Sequence, residues 1–257
     1  DFPKIWRQGN HAIFSFLQSI ALDDPKTMVE LEPLFRAVIH GTRAGYYEDA
    51  FDVYFHKIKK GYSVLAEGSH YADQACIRSF FVKEWSVVNY GLSETSKFHL
   101  IVSAAINLMF LGRIDDAIEP SYFSLSWFLE HKKYEEATNI AGPLVSMLIV
   151  AGRLAEATKL LNSLSSIVSG LKNEVLSAVN ENFLAYINYL LGFESVAKKH
   201  FEASDGIITK LDPDCPVHCP TVSSYYCKFL LDTGNSNAAL DRALKTAAWR
   251  KQKAWQI

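Results

Sequence analysis

The sequence predicts an all-α protein, a solenoid of antiparallel helix pairs, and three observations carry that prediction. A glycine, four residues and then an alanine recur after apolar runs: "AGYYEDA" (Gly45, Ala50), "LGRIDDA" (Gly112, Ala117), "AGRLAEA" (Gly152, Ala157), "LGFESVA" (Gly192, Ala197) and "TGNSNAA" (Gly234, Ala239). The last four glycines stand 40, 40 and 42 residues apart, and "HKKYEEA" repeats the motif at half a period, with Lys132 in the glycine's place and Ala137 midway between Ala117 and Ala157. No stretch alternates apolar and polar residues as a half-buried strand does, so no strand is expected.

Each part of the motif has a physical reason. Glycine takes the left-handed backbone that ends a helix without steric cost. The four residues after it reverse the chain, and an Asp or Glu among them falls in the first turn of the next helix, where the dipole favours negative charge. A small alanine lets the two helices approach closely. Pairs joined in this way cannot bury their apolar faces alone, so they stack on one another.

In chain order, "QGNHAIFSFLQSIA" reads as a lead-in helix over about 8–21, within an N-terminal region 1–26, and one repeat domain follows over 27–257. "DDPKT" caps a helix at about 27–44, whose partner covers 47–60; a further helix lies near 70–84, before a loop in which Ser93 and Ser96 are N-cap candidates. Pairs then follow at 96–111 with 115–130, 134–150 with 154–169, 174–191 with 194–210, and 221–233 with 236–250. Gly142-Pro143 falls inside one of these helices and predicts a kink or break there.

Composition narrows the function classes. Of 257 residues, 49% are hydrophobic and 21% charged, the profile of a soluble globular chain able to form one large domain or two ordinary ones. A net charge of −2 supplies no field to hold nucleic acid, and "HKIKKG" and "WRKQK" are short basic runs at helix ends, where they complement the dipole. The longest apolar runs are too short to span a bilayer, so no membrane partner is expected. With four cysteines, one of them (Cys76) in an apolar run, and no signal peptide, the reading is a reduced, cytoplasmic protein. The chain opens on Asp and ends in "WRKQKAWQI", which suggests a segment of a longer protein.

Helix pairs of this kind resemble tetratricopeptide repeats (TPR), which form right-handed superhelical solenoids; a period near 40 rather than about 34 adds roughly one helical turn. The run "MVELEPLFRAVIHGTRAGYYEDAFDVYFHKIKKG" (Met28–Gly61) resembles the start of the TPR-like sensor region of bacterial STAND NTPases, and "IWRQGNHAIFSFLQSI" resembles the helix leading into it. "CPTVSSYYCKFLLDTG" is similar to a late helix of the same region, so the likeness spans most of the chain. The resemblance implies a sensor, in which repeats recognise a trigger and a nucleotide-driven switch elsewhere controls an effector; in antiviral STAND proteins the trigger is a phage protein. It brings no catalytic residues and no cofactor to this segment, and no phosphate-binding G-x-x-x-x-G-K-[ST] loop is present in it.

Cys215, His218, Cys219 and Cys227 place soft ligands around a proline-rich loop, but they form C-x-x-H-C-x7-C rather than two separated ligand pairs, so no metal is expected. Pro213, Pro216 and Pro220 instead mark the stretch as a repeat boundary, with the two loop cysteines left open as ligands. Scattered histidines such as His40 and His131 read as packed or helix-terminal, and the "DD" and "EE" pairs as first-turn charges; no hydrolase motif appears, so no enzymatic activity is expected. More informative is a polar stripe on the first helix of each pair: His99, Ser103 and Asn107, then Asn139 and Ser146, then Glu181, Tyr186 and Asn188, then Tyr225. First helices line the groove of such arrays, so the stripe marks a partner-binding face for a protein trigger; solvent exposure or helix–helix hydrogen bonding is the competing explanation. A small-molecule inducer, or a plain scaffold, is the alternative to a protein trigger.

Overall fold

Every glycine of the repeat motif takes the backbone that the motif requires. Gly45, Gly112, Gly152, Gly192 and Gly234 all lie at φ between +73° and +87°. At each, two amides turn back onto the preceding helix; at Gly192 its own N–H reaches Tyr189 O at 2.9 Å and the Phe193 N–H reaches Asn188 O at 2.8 Å. The alanines at Ala50, Ala117, Ala157 and Ala197 are wholly buried. Lys132 makes the same turn at φ +57°, with Ala137 buried behind it, and Lys172 makes another at φ +51° that the sequence motif did not reveal. Gly192→Ala is therefore expected to lower the unfolding free energy by about 1 kcal/mol or more, read from the urea midpoint, because a Cβ strains this φ.

The computed structural model describes residues 2–58, 70–211 and 220–254. Among them it has α1 (Phe2–Ile20), α2 (Met28–Ala44), α3 (Tyr47–Asp52) running into a π turn (Val53–Lys57), α4 (His70–Ser79), α5 (Glu94–Phe110) and α6 (Ile114–Glu130). After these come α7 (Tyr134–Val150), α8 (Leu154–Gly170), α9 (Glu174–Leu190), α10 (Glu194–Leu211), α11 (Pro220–Asp232) and α12 (Ser236–Ala254). They follow one another as antiparallel pairs, as a helical repeat requires. Two compact units divide the chain, residues 1–127 and 128–257.

In the first unit, Thr27 and Glu30 close a capping box at the start of α2: Thr27 Oγ1 accepts from the Glu30 N–H at 3.3 Å, and Glu30 Oε2 accepts from the Thr27 N–H at 3.1 Å. Leu34, Phe35, Ala37 and Val38 bury one face of α2, and α1 packs beside it through Phe14 and Leu17. Gly41 permits that approach: a Cβ there would stand 2.9 Å from Ala50 Cβ and 3.0 Å from the Phe14 ring. α4 packs against both α2 and α5. Ser93 is the N-cap of α5, and the Glu48 carboxylate joins it by accepting from the Ser93 N–H and, at 2.8 Å, from the Ser96 hydroxyl.

Two expectations are corrected here. The helix anticipated over 70–84 stops at Ser79, and residues 81–83 (β1) pair antiparallel with residues 87–88 (β2). Trp85 makes the turn at φ +60°, and its ring and that of Phe81 meet edge to face, centroids 5.5 Å apart. Strands of three and two residues are too short to show a period of two, which is why the sequence hid them.

In the second unit, α9 and α10 make the closest pair, with Ala185, Ala197, Phe201 and Phe229 at the centre of a cluster that half-buried tyrosines surround. Besides its own partner, each of α7 and α11 touches α9, so first helices of successive pairs form a layer. Of the kink or break anticipated at Gly142-Pro143, the break does not occur: α7 runs without interruption from Tyr134 to Val150. Pro143 is exposed, and the carbonyl its ring deprives of a partner belongs to exposed Asn139, where water can satisfy it.

Candidate functional site

The first unit holds a buried polar centre that begins at the π turn. Tyr54 lies in that turn, buried, and its hydroxyl donates to Asp73 Oδ2 at 3.3 Å. Asn107 Nδ2 donates to the same oxygen from α5, while its own Oδ1 accepts from His70 Nδ1 at 3.1 Å. Ser103 hydrogen-bonds the Tyr54 hydroxyl. Among the described residues, Asp73 Oδ1 and both side-chain polar atoms of Gln74 find no hydrogen-bond partner. Burial raises the Asp73 carboxyl to about 7, against the hydrogen bonds from Tyr54 and Asn107 that favour its charged form. The same burial pushes up the Cys76 thiol, which points at Phe35 O, 3.2 Å away. Asp73, Tyr54 and Cys76 are shielded from solvent, and the bonds of Asp73 and Cys76 tie α4 to the π turn, α5 and α2.

Of the polar stripe, Ser103 and Asn107 thus belong to this centre, and His99 lies among aromatic rings, its centroid 4.6 Å from that of Phe55 with 43° between the planes. The remaining members lie in the second unit and partly converge. Tyr186 and Tyr225 stack face to face with centroids 4.1 Å apart and 9° between planes, and Tyr225 Oη donates to Ser146 Oγ at 3.4 Å. α7, α9 and α11 each supply one of these three residues, all half-buried. Asn139 is exposed on α7, and Asn188 turns inward to donate to Leu184 O at 2.8 Å. Glu181 faces α10 instead, accepting from His200 Nδ1 at 2.6 Å. Ser103, Asn107 and Glu181 therefore bond between elements, Ser146, Tyr186 and Tyr225 form a tyrosine ladder, and exposed Asn139 and Asn188, bonded within its own helix, stand apart from both.

A neighbouring feature escaped sequence reasoning. A groove of about 1090 Å³ is bounded by α10, α11 and α12. On its wall the Arg242 guanidinium donates twice to the Asp205 carboxylate, both bonds at 2.7 Å, and lies 4.4 Å over the Tyr226 ring. Tyr226 in turn stacks on Phe201 at 4.4 Å. Nothing in "ALDRALK" distinguishes Arg242 from a solvated helix charge; only the docking of α12 on α10 buries it.

Cys215, His218 and Cys219 lie outside the described residues. Cys227 is half-buried on α11, 3.8 Å from Ala239 O. Among the described residues no three His, Cys, Asp or Glu side chains gather as metal ligands would, and no helix is long and apolar enough to cross a membrane. His40, half-buried, donates from Nδ1 to Asn10 Oδ1 at 2.8 Å, and burial with Arg43 and Arg36 nearby lowers its basicity. No protein-family model, curated protein or solved structure matches the chain.

Proposed function

We propose that this chain is a non-enzymatic recognition module, the TPR-like solenoid sensor of a STAND-type NTPase, which binds a protein trigger such as a phage protein on its layer of first helices. The observation that carries the reading is the ladder of Ser146, Tyr225 and Tyr186, where three successive first helices contribute to one polar-edged aromatic surface. Tyrosine presents a large rigid face and a hydroxyl at little entropic cost, the combination that protein interfaces favour. The resemblance of Met28–Gly61 to the STAND sensor region supports the choice of a protein trigger.

Capture of phage structural and packaging proteins on the immobilised chain tests this. Tyr186→Ala combined with Tyr225→Ala is expected to weaken capture tenfold or more while the helical circular dichroism is retained. The second reading is a small-molecule inducer, for which the groove beside Arg242 is the supporting observation. Saturable binding of a metabolite, with thermal stabilisation and no protein captured, would replace the first reading by the second.

A further inference from the structure

Helix α1 is apolar over far more of its circumference than α2 covers. Asn10, Phe14 and Leu17 are its buried residues. Beside that face, Phe2, Trp6, Ile13, Phe16 and Ile20 are exposed, from 40% for Ile13 to 79% for Phe2. At about 100° per residue they fall within roughly 60° either side of Gly9, a single stripe. Positions 2, 6, 9, 13, 16 and 20 are separated by alternating steps of four and three, the spacing by which one helix presents a continuous face to another, as Asn10, Phe14 and Leu17 do toward α2.

We infer that the stripe is a self-association surface, on which α1 of a second copy of this chain packs antiparallel to form a two-fold dimer. The pattern is self-complementary in that direction. Antiparallel pairing centred between Gly9 and Ile13 sets Phe2 against Ile20 and Trp6 against Phe16, and the hollow left by Gly9 receives Ile13. Parallel pairing would set Gly9 against Gly9 and leave a void. Charge agrees with self-pairing: Lys4 and Arg7, the charged residues of α1, lie on the side away from the stripe, whose open flank carries Gln8, Ala12, Ser15 and Ser19. With Ile5 included, the exposed stripe amounts to roughly 600–700 Å² of apolar surface. Complete cover of both stripes removes at most roughly 1,300 Å², at the lower end of specific interfaces.

The test is light scattering with size-exclusion chromatography on the 257-residue chain, at concentrations up to about 0.1 mM. A particle of twice the 28.9 kDa chain mass is expected, and Trp6→Glu or Phe16→Glu should return it to the monomer with unchanged circular dichroism, since both side chains are exposed. In a mixture of Gly9→Cys and Ile13→Cys chains, oxidation should join one of each kind. A chain that stays monomeric, a dimer indifferent to both glutamate variants, or open-ended aggregation overturns the proposal. So does adsorption of the monomer to anionic vesicles that the same variants abolish, which assigns the stripe to a lipid surface. Ile13→Cys chains that cross-link only with one another overturn the antiparallel arrangement.

Discussion

Asp73→Asn is expected to raise stability by roughly 1.5 kcal/mol at pH 5 and by roughly 4 kcal/mol at pH 8. In the unfolded chain this carboxyl titrates near its ordinary value of about 3.9; in the folded unit burial holds it at about 7. Between those values the folded chain keeps a proton that the unfolded chain has released. Folding then takes up a proton, and stability falls as pH rises, by about 1.4 kcal/mol per unit and on the order of 4 kcal/mol across the window. Below about pH 4 and above about pH 7 the contribution is flat. The carboxamide of Asn still accepts from Tyr54 but cannot ionise, so it escapes this loss. Urea denaturation of both chains at pH 5 and pH 8 checks the result; parallel pH dependence would show that Asp73 ionises as an ordinary carboxyl.

Arg242→Ala is expected to cost about 2–4 kcal/mol and to loosen α12 locally. The guanidinium side chain is 9% exposed, and removing it deletes two charge-assisted bonds, the stack on Tyr226 and the packing of its stem. Asp205 is a third exposed and regains water when abandoned, which holds the loss toward the lower part of that range. Arg242→Lys should lose more than half as much, because a single ammonium cannot bridge both carboxylate oxygens or lie flat on a ring. Hydrogen exchange over Ser236–Ala254 measures the effect. Unchanged protection there in Arg242→Ala would mean that α12 docks through its apolar residues alone.

The helix pairs were legible because their turns admit few residues. A left-handed C-terminal position selects glycine strongly, and the buried position five residues later leaves room only for alanine, so Gly152 with Ala157 announces a turn unaided. Lys172 makes a comparable turn without either marker; the helix limits near 169 and 174 placed the turn, but no residue foretold its left-handed backbone. The polar centre was half visible. Ser103 and Asn107 stood out within an apolar helix, whereas Asp73 in "HYADQACIRS" looks like any solvent-facing carboxylate. Its burial depends on Tyr54, which arrives from a π turn, and on Asn107 from a helix 34 residues later, and no local pattern encodes either meeting. Tyr186 and Tyr225 were identifiable as polar members of first helices. Their stacking, 39 residues apart in the chain, follows from the contact of α9 with α11 and had no local signal.

The Glu48 carboxylate that completes the cap of α5 has a kinetic consequence. It reaches Ser93 across 45 residues and Ser96 across 48, so this part of the α5 cap forms only after a long loop has closed. Closing such a loop costs about 3 kcal/mol of chain entropy before any bond repays it. Contacts this distant in sequence are completed late, after the local turns have organised their own helices. The carboxylate consequently slows departure from the native state far more than it hastens arrival there.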